Sequence, residues 1–451
     1  MNIYLFLIFI VGIIIYYKDK GFIPCYWFIL QTVFLPVTAY FANVVSDDQL
    51  GPAYGKVNAV LSMLLLFFIF IELNANKKKQ NHLKIPLLGT ALLITVSFLG
   101  YVYHSSQARV LDILYSQRIY LFYILIPLYL FVVSKTTRKH IVITLLVVIA
   151  IELIIELLNH LFGIHLYMYH MRTSLGVNLD VFTSGTFRRF SNLAAFYATI
   201  QLFLSNEYLI KRRIKPRFFY AMSLFIGFGV IITGSRNGLY VYFFSLIVPA
   251  IIGFQKNVKF IFVILVSAVF LLSIIFSFEN SLSSMDENSG LIRNLVGIKE
   301  KVDKRSFGYG AGTDNLNYEL IERYFNLEPF GLGKTINSNR LPNEVYGGRY
   351  SDDAKIAYFF VEYGWLPFLC LILFWISFYK YYVLQVGRKN SKLIITSFIS
   401  LLLLSITDEG IFSTLLFSMV AFYAYYITIE EHTHAKLFNI RNKANSILTK
   451  Y

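Results

Sequence analysis

Apolar residues fill about thirteen stretches of bilayer-crossing length, and short polar loops separate them. Such a stretch predicts a helix, because every backbone polar group in hydrocarbon must find its partner within its own segment. The last two could also form a re-entrant pair. We predict an all-α, polytopic transmembrane helix bundle of about 12–14 spans. The apolar runs lie near residues 2–17, 22–43, 57–74, 85–103, 118–134, 141–163, 190–210, 218–234, 238–254, 260–278, 354–382, 393–407 and 410–430.

One long polar interval, residues 279–353, interrupts this pattern. Loops of that length are usually functional or disordered, and helical periodicity inside this one favours function. We predict two short amphipathic helices, near residues 290–302 and 316–325, the second capped by Thr313-Asp314, lying on the outer membrane surface above a cavity between the spans. The predicted organisation is an N-terminal transmembrane bundle (1–278), the long external loop (279–353), C-terminal transmembrane helices (354–430) and a tail (431–451).

The composition excludes an ordinary soluble domain, since 57% of the residues are hydrophobic and 15% are charged. The net charge of +15 would suit nucleic acid, but the basic residues lie in short loops between apolar runs, so we expect no nucleic-acid partner. Cys25 and Cys370 lie inside apolar runs without a CxxC pattern, which indicates small core residues. His160, His165 and His170 recur at a spacing that does not stack on a helix face, so we predict no metal site.

Basic residues are concentrated in alternate loops. One set of loops holds 23 Lys and Arg residues, whereas the short loops of the other set hold six. Since cytoplasmic loops are enriched in Lys and Arg, the basic set and the C-terminal tail are predicted to be cytoplasmic and the long loop external. The first apolar run has no cleavage pattern behind it and is predicted to be a retained span. The basic set comprises Lys18, Lys20, Lys77, Lys78, Lys79, Lys84, Lys135, Arg138, Lys139, Lys211, Arg212, Arg213, Lys215, Arg217, Lys256, Lys259, Arg388, Lys389, Lys392, Lys436, Arg441, Lys443 and Lys450.

The motif Thr233-Gly-Ser-Arg-Asn-Gly238 lies between two apolar runs. An arginine at a membrane boundary is expensive unless it has an anionic partner or a water-filled cavity, so Arg236 is a functional candidate. Its forked guanidinium suits bidentate contacts to phosphate. The alternative is an interfacial arginine whose charge reaches the membrane surface. Arg188 and Arg189 precede another span on the same predicted side, where either could instead contact a lipid headgroup.

Within the long loop, Arg293 lies on the first amphipathic segment and close to the predicted membrane surface. The loop ends in Ser351-Asp-Asp, where Asp352 could act as general base for a sugar hydroxyl and Asp353 as a helix cap. Both carboxylates could also serve capping alone. Pro329-Phe-Gly-Leu-Gly-Lys-Thr335 lacks the first glycine of a phosphate-binding loop and predicts a tight glycine turn. Lys334 and Arg349 are further candidates for binding an anionic substrate.

Taken in order, these motifs resemble those of the bacterial O-antigen polymerase (Wzy) and O-antigen ligase superfamily. They are Gly-Ser-Arg between two spans, a long external loop, Pro-Phe-Gly-Leu-Gly, and Ser-Asp-Asp followed by Tyr-Phe-Phe-Val-Glu-Tyr-Gly364, within residues 183–367. The resemblance implies a GT-C-like membrane enzyme that acts on undecaprenyl-diphosphate-linked glycans without a nucleotide sugar, a metal ion or another cofactor. It also implies that Arg236 and Arg293 hold the diphosphate.

The chain departs from the ligase branch at one position. Ligases of this superfamily have a histidine, typically in a His-Asn pair, where this chain has Asp352-Asp353, and residues 279–353 contain no histidine. The expected function is therefore an inverting polysaccharide polymerase at the outer face of the bacterial cytoplasmic membrane. A ligase that moves finished glycan to an acceptor and a lipid-linked oligosaccharide flippase are the alternatives. Expected partners are the undecaprenyl-diphosphate-linked oligosaccharide, membrane lipids and a chain-length regulator protein.

Overall fold

The structure is a computed structural model that describes residues 3–34, 61–74, 84–103, 123–133, 135–162, 190–233, 235–252, 329–330, 356, 359–360, 363–405, 413 and 415–429. All regular secondary structure in these ranges is helical. The helices, numbered in chain order, are α1 (Ile3–Lys18), α2 (Ile23–Ile29), α3 (Leu61–Asn74), α4 (Lys84–Tyr103), α5 (Tyr123–Val133), α6 (Arg138–Phe162), α7 (Phe190–Ser205), α8 (Pro216–Ile232), α9 (Arg236–Ile252), α10 (Trp365–Val386), α11 (Ser391–Ser405) and α12 (Leu415–Ile429).

Each of these helices overlaps one of the predicted apolar runs, although the run 354–382 is interrupted. The run 260–278, both predicted loop helices and the tail 431–451 lie outside the described residues. Within the described ranges, two helical segments are long and apolar enough to cross a membrane, judged by length and composition. They are Arg138–Leu158 in α6 and Trp365–Val386, which is α10. The remaining apolar stretches in those ranges are 10–17 residues long.

Local chemistry fixes several helix ends. The Asp19 side chain accepts a hydrogen bond from Gly21 N at 3.0 Å and closes the turn between α1 and α2. Pro216 opens α8 at a position where the missing N–H would have no helical partner. Two helices, α2 and α7, continue into π-helical turns, Leu30–Phe34 and Asn206–Ile210. Such wide turns are frequent at functional positions.

The run 354–382 is not the single helix that its hydrophobicity predicts. Gly364 interrupts it with φ 85° and ψ 177°, a backbone conformation that glycine adopts readily and other residues do not. Gly364 N donates to Phe360 O at 2.8 Å, which ends the preceding helical turn, and α10 then begins at Trp365. The run contains Lys355 and Glu362 but is otherwise largely apolar on both sides of the break, so its hydrophobicity alone did not predict the break.

Helix α7 lies at the centre of the bundle. Its residues from Leu193 to Ala198 have no exposed surface. Helices α8, α9 and α11 pack against it. Helix α12 contacts it as well, since the Phe203 and Tyr423 rings stack with their centroids 4.2 Å apart. Helices that precede and follow residues 279–353 in the chain therefore share one core.

The outward-facing side of the bundle carries many large apolar side chains. Leu224 is 76% exposed and Leu88 is 73% exposed. An exposed apolar surface costs about 25 cal/mol per Å² in water, so extensive surfaces of this kind usually mark an interface with lipid or protein. This distribution agrees with the predicted membrane placement.

Several basic connectors meet at one end of the bundle, which we call the basic end. It comprises residues 18–22, 135–140, 211–217 and 386–391. The opposite end, here the motif end, carries the first residues of α7, α9 and α10. The contacts that join the basic connectors and the adjoining helix ends are Thr136 Oγ1 to Gly21 O (2.8 Å), Tyr129 OH to Lys20 O (2.7 Å), His140 Nε2 to Asp19 Oδ2 (3.2 Å), Arg138 over the Tyr426 ring (4.2 Å), Arg213 Nη1 to Glu207 Oε2 (3.7 Å) and Thr428 Oγ1 to Gln385 O (3.4 Å).

Candidate functional site

The turn between α8 and α9 ends one helix and starts the next through two hydroxyl groups. Thr233 Oγ1 donates to Val230 O at 2.7 Å and accepts from Ser235 N at 3.2 Å. Ser235 Oγ then accepts from Gly238 N at 3.1 Å, as an N-cap side chain does. These side chains therefore fix the direction in which α9 leaves the turn.

Arg236 is the first residue of α9. The structure describes its backbone, while its side chain lies outside the described part. A cation at a helix N-terminus is unfavourable, because the macrodipole places partial positive charge there. An anion at the same place is favoured by the macrodipole of the helix and by a guanidinium. The position thus suits an anionic ligand better than it suits a solely structural arginine.

Gly238 allows α9 to approach α7 closely. A Cβ added at Gly238 would overlap Ala194 Cβ and would lie 3.4 Å from Ala194 Cα. The first turn of α9 therefore lies against the start of α7. Arg188 and Arg189 directly precede α7 in sequence. The contact places Arg236 beside the helix that these two arginines precede.

The Pro329-Phe330 segment packs at the same end of the bundle. Leu366 N donates to Pro329 O at 3.1 Å, and a Cβ added at Gly100 would lie 3.3 Å from the Phe330 ring. The segment thus connects the end of α4 with the start of α10. Pro329 and Phe330 have turn conformation, whereas the glycines of the predicted turn lie outside the described residues.

The other predicted site residues lie outside the described residues, and their roles stay predictions. The motifs that the structure does describe, namely the Thr233–Gly238 turn, the Pro329 turn and Gly364, all lie at the motif end. The residues not described are Arg188, Arg189, Arg293, Lys334, Arg349, Asp352 and Asp353.

Two carboxylates that the sequence did not assign to a site lie inside the bundle. Glu152 and Glu156, four residues apart on one face of α6, have no exposed surface. Tyr197 OH on α7 donates to Glu156 Oε2 at 2.9 Å. Ionisable residues within apolar helices are energetically costly and are often functional. The presence of glutamate in an apolar run could therefore have identified both residues as candidates from the sequence. The tyrosine partner depends on how α6 packs on α7, which the sequence does not reveal.

A third buried carboxylate, Glu207, lies in the π-helical turn at the basic end. Tyr423 OH donates to Glu207 Oε1 at 3.3 Å, and Arg213 Nη1 lies 3.7 Å from Glu207 Oε2. The adjacent Asn206 donates through Nδ2 to Thr396 Oγ1 at 3.4 Å. Polar side chains of α7, α11 and α12 therefore meet inside the bundle at this level.

Metal-ligating side chains do not cluster in the described ranges. No group of three or more His, Cys, Asp or Glu residues there could hold a metal ion. Cys25 and Cys370 are free and buried, which confirms their interpretation as core residues.

Compared with known proteins, the chain matches no family model and no curated protein.

Proposed function

We propose that this chain is a membrane-embedded polysaccharide polymerase. It joins oligosaccharide repeat units carried on undecaprenyl diphosphate at the outer face of the bacterial cytoplasmic membrane, with inversion and without a metal ion. The observation that carries the proposal is the position of Arg236, the first residue of α9, at the motif end and beside the start of α7.

The membrane placement is supported by two features. The outward side of the bundle is rich in exposed leucine and phenylalanine, and the basic connectors gather at one end. Since cytoplasmic loops are enriched in Lys and Arg, the basic end faces the cytoplasm in this proposal. The motif end then faces outward, where lipid-linked repeat units are polymerised.

The choice of a diphosphate as ligand follows from charge. The N-terminus of α9 and the Arg236 guanidinium both favour an anion, and a lipid diphosphate presents several oxygens to a forked donor. In the proposed mechanism Arg236 and Arg293 bind the diphosphate, and Arg188 or Arg189 assists. Lys334, Arg349 and Asp353 contribute to substrate binding.

The reaction is a direct displacement. An acceptor hydroxyl forms a new bond to the anomeric carbon, and the bond between that carbon and the phosphate oxygen breaks, so undecaprenyl diphosphate leaves with the electron pair. Asp352 takes the proton of the acceptor hydroxyl. The arginines stabilise negative charge on the leaving diphosphate in a partly water-excluded site.

A gel of surface glycans tests the proposal. A strain that lacks this protein is complemented with the wild-type chain or with a variant, and the glycans of the resulting strains are compared. We expect the wild-type chain to restore a polymer ladder and Arg236→Lys to leave single repeat units, because an ammonium does not reproduce the fork of a guanidinium. Arg217→Lys, at an exposed arginine of the basic end, is the matched control and should restore the full ladder. Wild-type polymer from Arg236→Lys at equal protein abundance would contradict the proposed clamp.

A lipid-linked oligosaccharide flippase is the second candidate, favoured by the buried Glu152, Glu156 and Glu207. Carboxylates within a membrane bundle often mark transport paths. The same gel separates the functions. Absence of any lipid-linked glycan at the outer face of the deletion strain indicates transport, whereas long polymer retained on the lipid carrier indicates a ligase.

A further inference from the structure

A column of buried polar side chains runs along α7 towards the basic end. Tyr197, Gln201 and Ser205 follow one another at intervals of four residues, so they line one face of the helix. Asn206 and Glu207 extend the column in the π-helical turn. All five residues are buried. At the rise of an α-helix the column covers about 15 Å.

Neighbouring helices supply the hydrogen-bond partners along this column. Tyr197 OH contacts Glu156 on α6 at 2.9 Å. One turn further on, Gln201 Nε2 donates to Ser205 Oγ at 3.1 Å and to Ser223 Oγ on α8 at 2.9 Å. Helices α6, α8, α11 and α12 thus all contribute polar groups to α7.

Two amide oxygens in this column have no hydrogen-bond partner in the protein. Gln201 Oε1 and Asn206 Oδ1 are both buried and unpartnered, and so is Ser400 Oγ on α11, one turn from Thr396. Buried acceptors without a donor are rare in folded proteins and require an explanation. A small donor that fits between helices is water, which typically satisfies such groups with about three hydrogen bonds.

We propose that the polar column along α7 is hydrated and conducts protons between the buried carboxylates Glu152 and Glu156 and the carboxylate Glu207 at the basic end. One water bound to two groups joins atoms about 5.6 Å apart, close to the roughly 6 Å rise between residues four apart in a helix. Gln201 and Ser205 are already joined by a direct hydrogen bond of 3.1 Å, and single waters bound to Gln201 Oε1 and Asn206 Oδ1 complete the remaining links of the chain. In this proposal Glu152 and Glu156, which lie in the half of α6 nearer the motif end, exchange protons with that side, and Glu207 exchanges them with the basic end.

The charged and titratable groups around the column define where a proton can reside. Tyr197 faces the two glutamates of α6, and the remaining groups lie towards the basic end. From the elements packed on α7 they are Glu152 and Glu156 of α6, Tyr242 of α9, Tyr423 and Tyr426 of α12, and Arg213 of the loop after α7.

Proton flux into liposomes tests the inference, which rests only on the membrane placement within the proposed function. Purified full-length protein is reconstituted with a pH-sensitive dye inside, and a potassium gradient with valinomycin drives proton entry. Co-flotation with liposomes after an alkaline wash first establishes insertion. We expect wild type to conduct above protein-free liposomes, and Gln201→Met and Glu156→Gln each to lower the rate by about fivefold or more, the factor equivalent to one hydrogen bond.

Thr90→Val is the matched control, because Thr90 is equally buried but lies on α4 away from the column. It should conduct like wild type. Should Gln201→Met not fold, Ser205→Ala removes a single oxygen from the next link and must meet the same criterion. The inference is overturned if the inserted wild-type protein does not conduct protons. It is also overturned if the proton flux is unchanged in Glu156→Gln, or in whichever of Gln201→Met and Ser205→Ala is measured. If a variant that no longer conducts protons still restores the glycan ladder, proton conduction and glycan polymerisation are independent activities of the protein.

Discussion

The contact between Gly238 and Ala194 gives a sharp test of how the motif end is built. Gly238→Ala places a methyl group inside the space held by Ala194 Cβ. One of the two helices must then move, and overpacking of this kind typically costs about 1–3 kcal/mol. Because Arg236 lies in the same helical turn, the displacement should also reduce glycan polymerisation.

The clash involves one atom, Ala194 Cβ, so removing that atom by a second substitution should restore most of the lost stability. In the double variant Gly238→Ala/Ala194→Gly the overlapping Cβ is gone, and the contacts left to the new methyl group are the Cα atom at position 194, at 3.4 Å, and Ser235 Oγ, at 3.3 Å. Ala194→Gly alone should cost up to about 1 kcal/mol through helix propensity. We therefore expect a favourable coupling of about 1–3 kcal/mol between the two positions.

Thermal unfolding in detergent, followed by tryptophan fluorescence, measures stability, and the glycan ladder measures function. The expected order of Tm is wild type, then the double variant, then Gly238→Ala. Gly100→Ala is the matched control, since the nearest atom to its Cβ would be Phe330 Cδ1 at 3.3 Å, and its effect should be smaller. A double variant no more stable than Gly238→Ala would refute the contact and the placement of α9 against α7.

Three further predictions concern single contacts. Ser235→Ala removes the N-cap of α9 and should cost about 1 kcal/mol, seen as a lower Tm, whereas Ser235→Asp should retain the cap. Tyr197→Phe removes the hydrogen bond to buried Glu156 and should lower Tm by more than Tyr220→Phe, at an exposed tyrosine of α8. The hydrogen bond from Lys20 to Glu72 raises the pKa of Lys20 above its ordinary value of 10.5, so its stabilisation is complete below that pH and is lost as pH rises through the higher folded value. Lys20→Met should therefore lower Tm at neutral pH and flatten its decline at strongly alkaline pH, and an unchanged profile would contradict the pairing.

The helix positions could be predicted from the sequence because long apolar runs leave the backbone few alternatives. The break at Gly364 could not, since it depends on a φ value of 85° within a run whose overall hydrophobicity suits one continuous helix. The run predicted as one segment therefore contains a short helical turn followed by α10.

The candidate site was predictable in part. The sequence singled out the Thr233–Gly238 motif for its arginine, but the structural roles of Thr233, Ser235 and Gly238 emerge only from hydrogen bonds and from the contact with Ala194. Glu156 was visible as a charge in an apolar run, yet its pairing with Tyr197 depends on packing between helices distant in sequence. The roles predicted for Arg293 and Asp352 remain to be tested by mutation.

The central position of α7 also constrains how the protein is made. During synthesis α7 leaves the ribosome well before α12, whose Tyr423 covers Phe203 and hydrogen-bonds to Glu207. Until α12 has been inserted, the buried polar side chains at the end of α7 and in its π-helical turn lack part of their packing partners. A helical segment that carries Gln201, Asn206 and Glu207 enters hydrocarbon poorly on its own. Assembly of the core is therefore completed only when translation is nearly finished, and a chain that stops after the long loop would leave Glu207 without its tyrosine partner.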